Sequence, residues 1–292
     1  MSITLWVIQA DSLVCHADGT PFVLSLANAP KYAIHLGYSE SHNDSPSTIA
    51  QHHEHPVSHV IDSEHACKLG LMMRFGDGFD TKDVQNLKAI SFRNLLNTLD
   101  SSSLDALSRA IMLVQWQNDH RYCSRCGTPT HAHAHGEHAK VCPKCRHHAY
   151  PRVQPCIIVA ITRHCPDTHK PQILLALHHR HRQKGVYGLI AGFVEAGETL
   201  EMGVHREVFE EVGIHIHTPT YISSQPWPYP SNLMAGFIAD YHSGAIRVQA
   251  GEISDAKFFD LDNLPPIPAT GTIAHELISL VKQRYLPTAT DD

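Results

Sequence analysis

Two pairs of cysteines constrain the fold more than any other feature of this chain. Each pair has the form CxxC, and fifteen residues separate the pairs. The four residues are Cys123, Cys126, Cys142 and Cys145. This spacing is typical of two knuckles that place four thiolates around one structural zinc ion, with no open position for water. Four histidines in the intervening loop are alternative ligands, but we expect the loop to be exposed and keep them outside the site: His131, His133, His135 and His138.

Composition and charge favour a cytoplasmic protein of more than one domain. The chain has 292 residues, of which 42% are hydrophobic, and no apolar run is long enough to span a bilayer. The first residues lack the basic segment and cleavage site of a secretory signal, so we expect no membrane partner. The net charge of −6 argues against a chain coated by nucleic acid. Residues 120–152 nevertheless hold six basic residues against one acidic residue, which makes this module locally basic.

The hydrophobic pattern divides the chain into four parts. We expect an N-terminal α/β domain at 1–118 for scaffolding or dimerisation, a zinc ribbon at 119–150, a second domain at 151–285 and a loose tail at 286–292. Short apolar runs before residue 100 predict strands: "ITLWVIQ", "FVLSL", "YAIHL" and "LGLMMRF". Helical spacing is present within 81–99 and from 104 to about 118, where Ser102 or Ser103 can cap the start. From 151 the runs "CIIVAIT", "QILLAL", "LMAGFIADY" and "AKFFDLD" predict strands, and a helix closes the domain from about 272 to 284.

One helix in the second domain carries a cluster of acidic residues. Glu207, Glu210 and Glu211 stand at i, i+3 and i+4, so their carboxylates share one face. Like charges at this spacing destabilise a helix by a few tenths of a kcal/mol per pair. A bound divalent cation such as Mg²⁺ would relieve that repulsion and would suit chemistry on phosphates. The alternative is an acidic helix face that only contacts solvent.

The complete pattern around these acids resembles the Nudix box. Gly192 is followed after five residues by Glu198 and after seven more by "REVFEEVGI". The resemblance implies an α/β class fold (α+β), a Nudix α/β/α sandwich with a mixed sheet. It also implies hydrolysis of a nucleoside diphosphate linked to another group, with divalent ions held by the glutamates of the box.

A second motif narrows the resemblance to the NADH pyrophosphatase family. The segment "SQPWPYPSN" lies downstream of the box, and the likeness extends from about 116 to 284. The family usually has Phe where Tyr229 stands and Ser where Asn232 stands. Tyrosine keeps an aromatic ring and asparagine a short polar group, so we expect activity to be retained.

The resemblance implies cleavage of NAD(H) to nicotinamide mononucleotide and AMP, and removal of NAD caps from RNA 5′ ends in bacterial relatives. Mg²⁺ or Mn²⁺ would be held by Glu207, Glu210, Glu211 and Glu252 and by the backbone of Ala191. Glu252 is also a candidate general base, and Arg206 would steady a carboxylate such as that of Glu210. The substrate would contact Tyr150, Phe193, Gln225, Trp227, Tyr229 and the backbone of Ala274. The family further suggests a homodimer.

Two rival interpretations remain. The enzyme could prefer NAD-capped RNA to the free dinucleotide, because the basic ribbon and the segment "HHRHRQKG" at 178–185 can contact phosphates. Alternatively, the chain could be a nucleotide-sensing or nucleic-acid-binding regulator that reuses a Nudix domain and a zinc ribbon. Loss of the box carboxylates would have favoured a regulator, and all of them are present.

Overall fold

The computed structural model describes residues 5–9, 12–15, 23–24, 34–35, 59–62, 88–135 and 137–286. By internal contacts the chain forms two units. The first contains residues 1–152 together with Pro228–Pro230, and the second contains 153–227 and 231–292. Among the described residues, no helix combines the length and apolar character needed to cross a membrane.

In its described residues the first unit contains a sheet of six short strands and two helices. The strands are β1 (Leu5–Gln9), β2 (Ser12–Cys15), β3 (Val23–Leu24), β4 (Ile34–His35), β5 (His59–Asp62) and β6 (Lys88–Ser91). The order is β4-β5-β1-β2-β6, with β3 also paired to β1, and only the β1–β5 pair is parallel. Three of the predicted strands are therefore confirmed, while "LGLMMRF" lies outside the described residues.

The helices of this unit differ in part from their prediction. Helix α1 (Phe92–Leu95) has only four residues. The prediction of a helix within 81–99 is therefore wrong for most of the residues that the structure describes there, since β6 precedes α1 and turns follow it. Helix α2 (Ser101–Asp119) is present. Its cap is Asp100 rather than a serine, because the Asp100 carboxylate accepts from the Ser103 amide at 2.9 Å and from the Ser103 hydroxyl at 2.7 Å.

The cysteine module follows α2 directly. It contains a three-stranded antiparallel sheet of β7 (His131–Ala132), β8 (Lys140–Val141) and β9 (His148–Ala149). These strands have two residues each, too few to stabilise a sheet without another constraint. The metal centre described below supplies that constraint.

The second unit is built on a mixed sheet of seven strands. These are β10 (Gln154–His164), β11 (Pro171–His178), β12 (Ile190–Phe193), β13 (His215–Ile216), β14 (Thr220–Trp227), β15 (Asn232–Ser243) and β16 (Ile253–Asp260). The order is β13-β15-β10-β11-β16, with β12 paired to β10 and β14 to β15. Strand β10 is central and runs parallel to β15, while its pairs with β11 and β12 are antiparallel.

Helices cover both faces of this sheet. Helix α3 (Leu200–Val212) packs on one face through Val204, Val208 and Val212, and helix α4 (Ile273–Tyr285) packs on the other. Along β10, Ile157, Val159 and Ile161 join the α3 side, while Ile158 and Ala160 join the α4 side. A continuous apolar run is therefore needed, because both faces of the strand are buried. This three-layer arrangement confirms the predicted α/β/α sandwich with a mixed sheet.

Candidate active site and metal centre

Four sulfur atoms form the metal centre of the cysteine module. Ligand atoms of Cys123, Cys126, Cys142 and Cys145 all lie within 4.8 Å of one another. The backbone amides of Arg125 and Cys145 each donate to a cysteine sulfur at 3.4 Å, which favours thiolates. Hydrogen bonding to Thr128 lowers the pKa of Cys126 to about 6, whereas burial and the three neighbouring sulfurs raise the pKa of Cys145 well above its usual range. The four sulfurs are therefore deprotonated together only when a cation offsets their mutual repulsion. Deprotonated sulfur in a set of four is the ligand shell that structural zinc requires, so these residues fit that ion.

The two halves of this centre repeat the same backbone turn. In the first, the amide of Gly127 donates to the carbonyl of Cys123 at 2.9 Å, and in the second the amide of Arg146 donates to that of Cys142 at 3.0 Å. The residue after the second cysteine of each pair has positive φ, 70° at Gly127 and 57° at Arg146. Glycine adopts this conformation freely, whereas arginine is strained in it.

We therefore expect Arg146→Gly to stabilise the zinc-loaded protein by about 1 kcal/mol. Chemical denaturation of the zinc-loaded protein, followed by a ribbon-specific probe, measures this change. The matched control is Gly127→Ala, which places a side chain in the same strained conformation and should destabilise by a similar amount. A loss of stability in Arg146→Gly would show that the arginine side chain contributes more than its backbone strain removes.

The acidic helix is organised around one guanidinium group. Arg206 contacts Glu198 through two bonds, from Nε at 2.8 Å and from Nη2 at 2.9 Å. Its Nη1 also donates to Glu207 and Glu210, each at 2.9 Å. The predicted contact with Glu210 is present, and Arg206 joins two further carboxylates that sequence spacing alone did not pair with it. Its Nη2 reaches the carbonyl of Phe193 at 2.8 Å, which ties the end of β12 to the helix.

Glu211 lies apart from this ion-pair network and is the most buried of the acids. It is 5% exposed. Burial, with the nearby charges of Glu207 and Glu252, raises the pKa of Glu211 to about 8. Burial also raises the pKa of Glu207, although Arg206 opposes that effect. The site therefore holds more carboxylate than its direct cationic partner can neutralise, which is the electrostatic condition that a divalent ion satisfies.

The carboxylates are less tightly gathered than the cysteines. Within the described residues, only the cysteine set brings three or more potential ligand atoms within 4.8 Å of one another. Arg206 draws Glu207 and Glu210 toward itself. The acids nevertheless do not project separately into solvent, since Glu207 and Glu211 have side chains that are mostly buried.

Gly192 provides the space that Glu207 occupies. A Cβ atom built on Gly192 would lie 2.0 Å from the carboxylate carbon of Glu207. No side chain other than hydrogen fits there while Glu207 keeps its position. The two residues before Gly192 face opposite sides of the sheet: Ile190 packs on the α3 side and Ala191 on the α4 side.

We expect Gly192→Ala to lower kcat on NADH, the substrate that the family resemblance implies, by about 10- to 100-fold. The methyl group would displace the Glu207 carboxylate, but the fold should persist because only the end of a flexible side chain must move. Steady-state kinetics with circular dichroism measures both effects. Gly188→Ala is the matched control, since its Cβ would meet open space. Equal activity in the two variants would contradict the importance of the Glu207 position.

Glu252 approaches the acids from a separate part of the chain. It precedes β16, in a turn whose Gln249 amide donates to the carbonyl of Glu211 at 2.9 Å. Its side chain lies 3.4 Å from Nε2 of His178. Sequence reasoning did not identify His178 or Arg180, whose charge acts on Glu211. The only available signal was their place in the basic segment at 178–185, which we assigned to phosphate contacts.

The predicted substrate contacts in the second unit lie at the ends of strands β12 and β14 and at the start of helix α4. Phe193 ends β12 and is 51% exposed, and Trp227 ends β14 half-buried. Gln225 holds the start of α4: its amide nitrogen donates to the carbonyl of Gly271 and its oxygen accepts from the amide of Ile273, both at 2.8 Å. The next amide, that of Ala274, makes no hydrogen bond within the described part of the chain and can donate to a ligand.

The other two predicted substrate contacts belong to the first unit. Tyr150 is 53% exposed, and its ring stacks on that of His148 with a centroid distance of 6.3 Å. Tyr229 lies in the Pro228–Pro230 segment. Its ring meets Phe92 edge-on, and the guanidinium of Arg93 lies 4.5 Å from the ring centroid. One face of Tyr229 is thus already covered within its own unit.

Comparisons with known proteins agree with this arrangement. The NUDIX domain model matches residues 158–280, and the NADH pyrophosphatase zinc ribbon domain model matches 118–150. The NAD-capped RNA hydrolase NudC of Stutzerimonas stutzeri (strain A1501) is 44% identical over 204 residues, which cover 70% of this chain and 71% of that protein. The protein of the same name from Vibrio vulnificus (strain CMCP6) is 45% identical over 194 residues, covering 66% and 71%.

A solved structure, that of a NUDIX hydrolase from Nitrosomonas europaea, aligns with a TM-score of 0.47 at 22% identity over 59% of this chain and 96% of that one. The assignment depends on the sequence relatives and on the two domain models. The two domain models match the ribbon and the segment that contains the acidic helix, and the comparisons do not support the regulator alternative. The chain therefore belongs to the Nudix hydrolases, in the group that carries the NADH pyrophosphatase zinc ribbon.

Proposed function

We propose that this enzyme hydrolyses the pyrophosphate bond of NAD(H) to nicotinamide mononucleotide and AMP. The observation that carries the proposal is the buried Glu211, which lies among the charges of Glu207 and Glu252 and outside the Arg206 network. Divalent cations fit such a group of carboxylates, and a dinucleotide's diphosphate is the anionic partner that those cations would bind.

The proposed roles follow from the contacts. Glu207, Glu210 and Glu211, with Glu252 and the backbone carbonyl of Ala191, would hold Mg²⁺ or Mn²⁺. When bound, such ions neutralise phosphate charge and acidify a coordinated water. Arg206 fixes two of the carboxylates and the end of β12.

Glu252 would accept the proton that water loses. The water oxygen bonds to one phosphorus as the bridging phosphorus–oxygen bond breaks, and two monophosphates leave. The electron pair of the broken bond stays with the departing phosphate oxygen. No oxidant, reductant or further reactant is required.

The pocket residues would orient the two nucleotides. Phe193 and Trp227 present aromatic faces to a base or nicotinamide ring, and the amide of Ala274 can donate to a ring nitrogen. Gln225 would act by holding the segment that carries Trp227 against the start of α4, because both ends of its amide are already bonded there. Roles for Tyr150 and Tyr229, and a homodimer that completes the pocket, rest on the family resemblance alone.

NAD-capped RNA is a second proposed substrate. The relatives above carry the name NAD-capped RNA hydrolase, and the ribbon at 120–152 is basic in an otherwise acidic chain. Phosphate contacts made by the ribbon would weaken as salt rises. Cleavage of capped RNA should therefore fall with added salt more steeply than cleavage of NADH, and salt-insensitive turnover of capped RNA would contradict the RNA contact.

The domain boundaries at 119, 151 and 286 remain part of this proposal, with the ribbon as a separate structural module. Four cysteines held as thiolate ligands suit a reducing compartment, so the cytoplasm is the proposed location.

Product analysis with NADH in ¹⁸O-labelled water tests the proposed activity. With Mg²⁺ or Mn²⁺ supplied, the expected products are AMP and reduced nicotinamide mononucleotide, with one ¹⁸O atom in a single phosphate group. The position of the label identifies the phosphorus that water attacks. Failure to release AMP, or label in a product other than these two monophosphates, would overturn the proposal.

A further inference from the structure

The position of Glu252 is determined by a bulge between β11 and β16. Leu177 pairs with Asp255, whereas the next residue, His178, pairs with Ile253, so Ser254 is the extra residue of the bulged strand. A bulge redirects the side chains beside it. The amide of His179 donates to the carbonyl of Glu252 at 2.9 Å, which fixes the backbone of Glu252 against the end of β11.

The side chain of His178 makes two contacts with different ring nitrogens. Nδ1 accepts from the amide of Arg180 at 3.3 Å, which caps the short 3₁₀ turn His179–His181. Nε2 lies 3.4 Å from Oε1 of Glu252. Because Nδ1 is an acceptor, the ring proton resides on Nε2, where it can be donated to the carboxylate. The hydrogen bond from the Arg180 amide thus favours the Nε2-protonated tautomer, which can donate to Glu252.

We infer that His178 is a positioning residue that holds the Glu252 carboxylate toward the acidic helix. Nothing else among the described contacts restrains that side chain, which is 46% exposed, whereas His178 is 25% exposed. A carboxylate that must accept a proton or bind a metal works best when a hydrogen bond fixes one of its oxygens. The inference rests on the proposed function, since it assigns a role within the same site.

Two substitutions separate the contacts of His178. Glutamine carries its amide nitrogen as many bonds from the backbone as Nε2, so His178→Gln can keep the donor to Glu252 while losing the cap. Asparagine carries its side-chain oxygen as many bonds away as Nδ1, so His178→Asn can keep the cap while losing the donor. We expect His178→Asn to lower kcat on NADH by about 10- to 100-fold with little change in KM. His178→Gln should retain kcat to within a few-fold of the wild type.

A double-mutant cycle supplies the readout that a merely structural role would not change. Adding His178→Asn to Glu252→Gln should reduce kcat no further, because the carboxylate that His178 positions is already gone. Thermal unfolding of each variant monitors folding independently of activity. An additive loss in the double variant, or a greater loss in His178→Gln than in His178→Asn, would overturn the inference.

The controls distinguish this inference from the proposed function. If the wild type does not release AMP from NADH, the proposed function fails. If the wild type is active and Glu252→Gln lowers kcat, but His178→Asn matches the wild type, only the positioning role fails.

Discussion

Replacing Glu211 by glutamine is expected to lower kcat on NADH by about 10² to 10⁴-fold. Glutamine has the shape of glutamate but carries no charge, so it cannot serve as an anionic ligand for a divalent ion. Because Glu211 is buried beside Glu207 and Glu252, no solvent-exposed acid can take its place. Steady-state kinetics at saturating Mg²⁺ or Mn²⁺ measures the loss.

The same substitution should stabilise the protein when Mg²⁺ and Mn²⁺ are absent. The pKa of Glu211 is raised from 4.5 to about 8, so the folded state keeps a proton that the unfolded state releases between these values. The contribution of Glu211 to the free energy of unfolding therefore falls as pH rises from 4.5 to about 8 and levels off above that. Glu211→Gln lacks this titration, and its advantage in melting temperature should grow over the same interval. Added Mg²⁺ should raise the melting temperature of the wild type more than that of the variant.

Glu201→Gln is the matched control for both measurements. Glu201 lies in the first turn of the same helix with an exposed side chain, so its loss should leave kcat nearly unchanged. Comparable activity in Glu211→Gln and the wild type would refute the role of Glu211. A melting temperature that is lower in the variant across the whole pH interval would refute the electrostatic account.

Replacing Cys142 by serine should eliminate zinc from the purified protein and unfold the cysteine module. Cys142 is fully buried, and its sulfur lies 3.5 Å from that of Cys126. Structural zinc in small modules contributes about 10 to 16 kcal/mol of apparent binding free energy, which the two-residue strands of the ribbon cannot replace. Elemental analysis should fall from about one zinc ion per chain to near zero. Hydrogen exchange should show lost protection in β7, β8 and β9.

Cys165→Ser provides the comparison for this result. Cys165 lies in the turn between β10 and β11, outside the sulfur cluster, and its replacement should leave the zinc content unchanged. Full zinc content with unchanged exchange protection in Cys142→Ser would show that the metal is not held by these four sulfurs.

The local sequence predicted features that depend on spacing within one element. Two CxxC pairs indicated the sulfur cluster, and the i, i+3, i+4 spacing of Glu207, Glu210 and Glu211 indicated a shared helix face. The strand at "CIIVAIT" was predicted because a strand buried on both faces requires an unbroken apolar run. Asp100 was missed as a cap because three serines follow it, and only the structure shows which oxygen reaches the free amide.

Features that depend on distant residues could not be predicted in the same way. The link from Arg206 to Phe193 spans thirteen positions, and the bulge that places His178 beside Glu252 joins residues 74 apart. Gln225 was predicted to line a pocket, yet its amide bonds to Gly271 and Ile273, nearly 50 residues downstream. No periodicity encodes these contacts, since they arise from the pairing of β11 with β16 and from the way that α3 and α4 pack on the sheet.

The parallel pairing of β10 with β15 has a consequence for synthesis on the ribosome. Residues 154–162 of β10 pair with residues 78 positions later in the chain, from Gln154 with Asn232 to Thr162 with Asp240. At a translation rate of about 5 to 20 residues per second, roughly 4 to 16 s pass between the synthesis of β10 and that of β15. During this interval β11, β12 and α3 emerge and can cover part of β10, but the edge that pairs with β15 and the face on which α4 packs stay uncovered. This edge and this face of β10 are therefore where we expect chaperone protection to matter during translation.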